Sequence, residues 1–136
     1  MQLHATTVAI ENAGLLILGA SGAGKSTLAL QLMAAGAVLV ADDRTDLHRD
    51  GQQIVASCPP PLLGRIEARG IGILAADPAG PVRIVQAVDL GAGDADRLPQ
   101  SQSLDVLGIA LPLVTTRYRP HLYAALRQLV LNGRVA

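Results

Sequence analysis

The stretch GASGAGKST, residues 19–27, combines the residue types that hold phosphate groups in proteins. It fits the pattern G-x-x-x-x-G-K-[ST] in full. Glycines in such a loop let backbone N–H groups turn toward phosphate oxygens. The Lys25 ammonium can reach the β and γ phosphates of a nucleoside triphosphate, and the Ser26 hydroxyl can bind Mg²⁺. The expected nucleotide-binding residues are Gly19, Ala20, Ser21, Gly22, Ala23, Gly24, Lys25, Ser26 and Thr27.

Two acidic residues, Asp42 and Asp43, end the next apolar stretch, AVLVADD. The carboxyl ends of strands in an open parallel sheet line the ligand crevice, so both acids should lie beside the phosphates. Because neighbouring strand residues point to opposite faces, one acid should face the site and the other a nearby loop. A carboxylate at the site suits a general base that removes a proton from an attacking hydroxyl. The alternative is a polar turn in which an acid caps backbone amides, and the sequence leaves this open for Asp42.

The elements around the loop follow from the apolar pattern. The run LLILG predicts a strand buried on both faces, and KSTLALQLMAAG predicts a helix that ends at Gly36. AVLVADD predicts a second buried strand. Strand, loop, helix and strand in this order predict a right-handed βαβ unit.

The remaining segments predict further strands and one more helix. LHATTVAI, PVRIVQAVDL and VLGIALPLV each predict a strand, ENAG predicts a turn, and the DG of RTDLHRDGQQIVAS predicts a hairpin. Prolines and glycines break CPPPLLGRIEARGIGILAAD, and GAGDADRLPQSQS is the best candidate for a mobile loop. RPHLYAALRQLVLNG predicts a helix with Pro120 in its first turn and Gly133 at its end. Its apolar stripe favours core packing over a partner site and comprises Leu122, Ala125, Leu126, Leu129 and Val130.

Composition limits the class of protein. A length of 136 residues predicts one domain, residues 1–136, and half of the residues are apolar. Eleven basic and eleven acidic side chains cancel, and the aromatic residues are two tyrosines, so nucleic-acid binding is disfavoured. The single cysteine, Cys58, fits a reducing compartment and a small buried apolar role. The sequence shows neither a secretory signal nor a membrane-spanning run, so we expect a soluble cytoplasmic protein.

Two further candidates stay open on the sequence alone. His4 is an ordinary strand histidine unless its strand pairs beside the strand that precedes the glycine loop. Glu67 lies between Arg65 and Arg69, and it is either an exposed salt-bridged acid or a metal ligand on a glycine-rich turn. The other histidines have no partner at metal-ligand spacing, so a zinc site is not expected.

Taken together, GASGAGKST, LVADD and IEARGIGI resemble the C-terminal catalytic domain of HPr kinase/phosphorylase. That family phosphorylates a serine of HPr, the small phosphocarrier of the sugar phosphotransferase system. The resemblance implies an α/β fold, a P-loop-containing mixed β-sheet with flanking helices. It also implies ATP and Mg²⁺ as cofactors, an HPr-like protein as partner, and a homo-oligomer, a hexamer by the resemblance. The chain is most similar in extent to short, alphaproteobacterial members that lack the N-terminal domain.

The resemblance also implies roles for individual residues. Lys25 would contact the phosphates, while Ser26 and Glu67 would bind Mg²⁺. Asp43 would be the general base that receives the serine proton, and would return a proton in the reverse reaction. His4 stands at the spacing before the glycine loop where the family keeps an active-site histidine.

The later part of the chain matches the family less closely. Arg97 is the best match to an arginine that the family carries in a flexible loop. The stretch PLVTTR keeps Pro112 and Arg117 but lacks the central arginine found in members that also dephosphorylate, so phosphorolysis is less firmly implied than kinase activity. Two alternatives remain, another P-loop NTPase or small-molecule kinase, and a nucleotide-binding sensor without transfer. Asp43 and Glu67 are the residues that discriminate between them.

Overall fold

Short apolar strands joined by tight turns build most of the protein. The computed structural model describes residues 1–91 and 99–136. Within those ranges, nine strands form one mixed sheet, two further strands form a separate hairpin, and two α-helices are present. The strands are β1 (Gln2–Leu3), β2 (Ala5–Ile10), β3 (Ala13–Leu18), β4 (Val38–Ala41), β5 (Thr45–Asp50), β6 (Gln53–Ser57), β7 (Arg65–Ala68), β8 (Gly72–Ala75), β9 (Val82–Asp89), β10 (Gln102–Val106) and β11 (Ile109–Thr115). The helices are α1 (Lys25–Ala34) and α2 (Leu122–Asn132), and a short 3₁₀ helix spans Pro60–Leu62.

The main sheet has the order β1-β5-β6-β9-β3-β2-β4, and the β10–β11 hairpin joins it through β11. β9 pairs with β3 on one side, and on the other side with β6 at its start and β11 at its end. The β3–β9 and β9–β11 pairs are parallel, whereas β2 is antiparallel to both β3 and β4. The strands β3, β4, β9 and β11 therefore all run in the same direction.

The strand, helix and strand around the glycine loop are confirmed, but the two strands are not neighbours. β2 lies between β3 and β4 and pairs with both. The reason is the turn between β2 and β3, where Glu11 and Asn12 have φ angles of 52° and 75°. Positive φ at both turn residues favours a tight hairpin, so β2 pairs with β3 along that edge and β4 pairs with β2 instead.

Two other segments differ from their predictions. VLGIALPLV is not one strand, because Leu107 and Gly108 have φ angles of 51° and 83° and form the turn between β10 and β11. The segment broken by glycines forms the β7–β8 hairpin, with Gly70 at its turn. The predicted hairpin at DG is confirmed as β5–β6. Pro120 precedes α2 instead of lying in its first turn, while Gly133 ends the helix as predicted.

The core lies on both faces of the sheet. Leu16 belongs to one cluster and its neighbours Leu15 and Ile17 to the other, as strand alternation requires. The helices α1 and α2 pack on the second face, where Leu28 and Leu126 are buried. Core packing of the α2 stripe is confirmed, except that Ala125 is exposed. Neither helix within the described ranges is long and apolar enough to cross a membrane.

Cys58 is half-buried against the first core cluster, not fully buried as predicted. Its Sγ donates to the carbonyl oxygen of Pro59 at 3.3 Å. Burial, together with the negative charges of Asp46 and Asp42, raises the pKa of the Cys58 thiol. The thiolate is the reactive form of cysteine, so this thiol should react slowly.

Gly14 offers a test of the packing between β3 and β9. A Cβ added there would lie 2.8 Å from the carbonyl oxygen of Arg83 and 2.8 Å from Cδ1 of Ile84. We expect Gly14→Ala to lower the free energy of unfolding by about 1–3 kcal/mol through overpacking, measured by urea unfolding. Gly80→Ala is the matched control, because a Cβ there meets no atom within 4 Å, and it should change stability by no more than about 0.5 kcal/mol. Equal stability of the two variants would contradict the close approach of the strands.

Cys58 offers a test of its raised pKa. At pH 8 the folded protein should react with iodoacetamide more slowly than a short cysteine peptide, because less of the thiol is ionised and part of it is covered. In 8 M urea (about the concentration that unfolds most domains) the two rates should agree. Mass spectrometry of timed samples measures both rates. Equal rates for the folded protein and the peptide would show that the thiol is not perturbed.

Candidate active site

The glycine loop joins the buried strand β3 to α1. Gly22 and Gly24 have φ angles of 85° and 106°, which glycine adopts without strain. The N–H of Ala23 donates to the carbonyl oxygen of Ala20 at 3.0 Å and closes a turn. Among the described residues, no side chain caps the start of α1. The N–H groups of its first turn, at the positive end of the helix dipole, can therefore serve an anion.

Lys25 brings its positive charge to this loop. Its side chain is 7% exposed. Nζ donates to the carbonyl oxygens of Gly19 at 2.6 Å and Ala20 at 3.2 Å. Phosphate oxygens would be stronger partners for an ammonium than these neutral carbonyls. The lysine is thus held over the loop in a position from which it can bind a phosphate.

Asp42 is buried and joins three elements. Its Oδ1 accepts hydrogen bonds from Oγ of Ser26 at 2.7 Å and Oγ1 of Thr6 at 2.9 Å. Its Oδ2 accepts from the backbone N–H of Glu67 at 2.9 Å. The sequence left the role of Asp42 open between a site acid and an amide cap. In the structure it accepts from an amide and also from the serine of the glycine loop motif.

Asp43 follows β4 and has its side chain 60% exposed at the cavity. Its φ of 69° turns the chain sharply after the strand, and its N–H donates to Oγ1 of Thr6 at 3.3 Å. Nδ1 of His4 lies 3.5 Å from Oδ1 of Asp43. His4 is not within a strand as predicted but just before β2, and the pairing of Ala5 with Leu18 brings it to the loop end of β3.

Glu67 lies on β7, not on a glycine-rich turn. The strand alternates, with Ile66 and Ala68 buried and Arg65 and Glu67 exposed. Ile66 belongs to the same core cluster as α1, which holds the hairpin against that helix. Within the described ranges Glu67 forms no ion pair, so its predicted alternative as a salt-bridged acid is not seen.

These elements meet around one cavity of about 230 Å³. It is lined by residues 21–27 of the loop and α1, and by Asp43, Glu67, Arg69 and Tyr118. The loop and Asp43 agree with the expectation from the sequence, and Glu67 with what the resemblance implies. Asp42, also expected beside the phosphates, is not part of the lining. Gly19 and Ala20 are not part of the lining and instead hold Lys25. Arg97 lies outside the described residues.

The sequence reasoning missed two of the lining residues. Arg69 reaches the loop, since a Cβ added at Gly22 would lie 3.9 Å from its Nη2. Arg69 is two residues after Glu67, and side chains two apart on a strand point to the same face. A predicted hairpin would therefore have placed Arg69 on the same face as Glu67. Tyr118 lies against Gly24, far away in the sequence, and no local pattern pointed to it.

The oxygen donors of the cavity suit magnesium. Ser26 belongs to α1 and Glu67 to β7, while Asp43 follows β4, and all three line the cavity. In the described part of the chain, no group of three or more His, Cys, Asp or Glu side chains could hold a metal by itself. Mg²⁺ is usually bound by one or two carboxylates together with substrate phosphates, so this donor set fits it.

The fold and the cavity define a mixed α/β domain in which a glycine loop of the phosphate-binding pattern leads from a buried strand into a helix. A family model described as HPr Serine kinase C-terminal domain matches residues 1–87. The chain belongs to this family, which confirms the resemblance carried by the three motifs.

Relatives and a solved structure agree. HPr kinase/phosphorylase of Burkholderia lata is 41% identical over 125 residues, covering 83% of this chain and 39% of that protein. The protein of the same name from Cupriavidus necator is 39% identical over 124 residues, covering 82% of this chain and 38% of that protein. The chain therefore spans under two fifths of the length of these relatives. The structure of the Hpr(Ser) kinase/phosphatase from Coxiella burnetii aligns with a TM-score of 0.86 at 28% identity, covering 98% of this chain and 96% of that chain. The predicted mixed sheet with flanking helices is confirmed.

Asp42→Ala tests the buried junction, meaning the hydrogen bonds that Asp42 accepts from Thr6, Ser26 and Glu67. The variant leaves the hydroxyls of Thr6 and Ser26 and the N–H of Glu67 without their acceptor. Unsatisfied buried donors are costly, so we expect a loss of about 2–4 kcal/mol in the free energy of unfolding, measured in urea. Asp77→Ala removes an exposed carboxylate and should change stability by less than about 0.5 kcal/mol. A small loss in both variants would mean that Asp42 does not hold these elements together.

Proposed function

We propose that residues 1–136 form a single P-loop kinase domain that transfers the γ-phosphoryl group of ATP to a serine of an HPr-like phosphocarrier. The observation that carries the proposal is that Asp43 and Glu67 line the same cavity as the glycine loop. The exposed carboxylate of Asp43 suits a base that receives the proton of an attacking hydroxyl. The names of the relatives and of the solved structure support the same activity.

Binding is the task of the loop. The N–H groups of residues 22–27 and the ammonium of Lys25 hold the phosphate oxygens, with Lys25 exchanging two carbonyl oxygens for them. When bound, Mg²⁺ would neutralise negative charge on the phosphates. Ser26 and Glu67 would hold it. Asp42 fixes both residues, because it accepts hydrogen bonds from the Ser26 hydroxyl and from the backbone N–H of Glu67.

Transfer is the task of Asp43. In the proposed reaction the serine oxygen of the acceptor forms a bond to the γ phosphorus, and the bond from that phosphorus to the bridging oxygen of ADP breaks. The serine proton passes to the carboxylate of Asp43, which is exposed enough to meet a protein side chain. His4, at 3.5 Å, positions this carboxylate. Arg69, beside Gly22, adds positive charge where the phosphates bind, and Arg97 remains a proposed second arginine.

The reverse reaction would use the same groups, with Asp43 returning a proton to the serine oxygen. The relatives are named kinase/phosphorylase and the solved structure kinase/phosphatase. The segment PLVTTR, without its central arginine, favours the kinase direction in this chain. We also propose a cytoplasmic location, from the sequence features described above, and a homo-oligomeric, hexameric assembly, from the resemblance.

The direct test is incubation of the chain with ATP, Mg²⁺ and purified HPr, followed by mass spectrometry for phosphoserine. We expect one phosphate on one serine. ATP hydrolysis without phosphoserine would favour another P-loop NTPase, and ATP binding without either reaction would favour a nucleotide sensor. Each of those results would contradict the proposal.

Two variants separate binding from transfer. Asp43→Asn should keep ATP affinity but lower the rate of phosphoserine formation by about 100-fold or more, because it removes the base. Lys25→Ala should weaken both ATP binding, measured by calorimetry, and transfer. Asp77→Asn is the control for the loss of one negative charge. It should leave both the ATP affinity and the rate of phosphoserine formation unchanged. Wild-type transfer by Asp43→Asn would remove the general-base assignment.

A further inference from the structure

Tyr118 stands on the side of the glycine loop that lies opposite the acids. The strands β3, β4 and β11 run in the same direction, so their ends lie at one edge of the sheet. Along this edge the order is β4, β2, β3, β9, β11. β4 ends at Ala41, directly before Asp42 and Asp43. β3 leads into the glycine loop, and β11 leads into the segment 116–121 that carries Tyr118.

The tyrosine ring lies directly against the loop. A Cβ added at Gly24 would lie 3.0 Å from Cγ of Tyr118 and 3.1 Å from its Cβ and Cδ1. The ring is half-buried, packs against the second core cluster and lines the cavity. One part of the ring is therefore fixed by protein contacts while another part is open to a ligand.

The proposed transfer, with Asp43 as the base, sets the direction of a bound nucleotide. The γ phosphate must lie toward Asp43 for transfer, so the nucleoside must leave the loop on the side away from the acids. That is the side of Tyr118. Aromatic rings recognise nucleobases by stacking, which tolerates any base. The chain has only two aromatic residues, and the other, Tyr123, belongs to α2 and is packed partly against the core.

We propose that Tyr118 is a binding residue for the nucleoside part of the nucleotide, with its ring as the wall against which the nucleoside packs. The identity of the ligand as a nucleoside triphosphate rests on the proposed function. The competing explanation is that the ring only supports the loop through Gly24. The two explanations differ in which ligands the ring should affect.

The experiment compares ATP with inorganic tripolyphosphate, which offers the phosphates without the nucleoside. Binding of each to the whole chain is measured by calorimetry with Mg²⁺ and without HPr. Tyr118→Leu keeps an apolar side chain against Gly24 and the core but removes the ring. We expect it to weaken ATP binding by about 5- to 100-fold, the range of one lost stacking contact, and to leave tripolyphosphate binding unchanged. Tyr118→Phe, which keeps the ring, should retain more ATP affinity than Tyr118→Leu.

Tyr123→Leu is the matched control and should leave both affinities unchanged, and thermal unfolding verifies that each variant is folded. Equal weakening of ATP and tripolyphosphate by Tyr118→Leu would assign the ring to loop support alone and overturn the proposal. Unchanged ATP binding would also overturn it. Failure of the wild-type chain to bind ATP would overturn the proposed function together with this inference. ATP binding without transfer to HPr would contradict the proposed function, and a selective loss of ATP affinity in Tyr118→Leu would then still assign the ring to the nucleoside.

Discussion

The buried carboxylate of Asp42 is the constraint on which the cavity depends. A buried charge is costly unless hydrogen bonds satisfy it, and Asp42 has three donors within 2.9 Å. These donors belong to β2, α1 and β7, which are separated in the sequence. One side chain therefore fixes the positions of the loop helix and the hairpin relative to the sheet.

The hairpin shows why this junction matters. β7 and β8 pair only with each other in the described ranges, and a two-stranded hairpin is marginally stable alone. Ile66 anchors it to the core beside α1, and the N–H of Glu67 anchors it to Asp42. Next to these anchors, the side chains of Glu67 and Arg69 line the cavity. The wall opposite the glycine loop is thus held by one apolar and one polar contact.

Local patterns were enough to predict the glycine loop, the helix after it and the acids at the end of β4, because each depends on residues close in the sequence. They could not predict that β2 separates β3 from β4, since strand order depends on pairing between distant segments. The apolar residues of VLGIALPLV predict one strand because they conceal the turn at Leu107 and Gly108. Family resemblance, not spacing, pointed to Glu67 and His4. Tyr118 reaches the cavity only through the parallel pairing of β11 with β9, which no local pattern contains.

We propose that the cavity binds a nucleoside triphosphate in one direction, with its transferable phosphate toward the acids that follow β4 and its nucleoside toward β11. A crystal structure with Mg²⁺ and a non-hydrolysable ATP analogue tests it most directly. We expect phosphate oxygens on the loop N–H groups and on Nζ of Lys25, Mg²⁺ on Ser26 and Glu67, and the γ phosphate nearest Asp43. An analogue bound in the opposite direction, or outside the glycine loop, would contradict it.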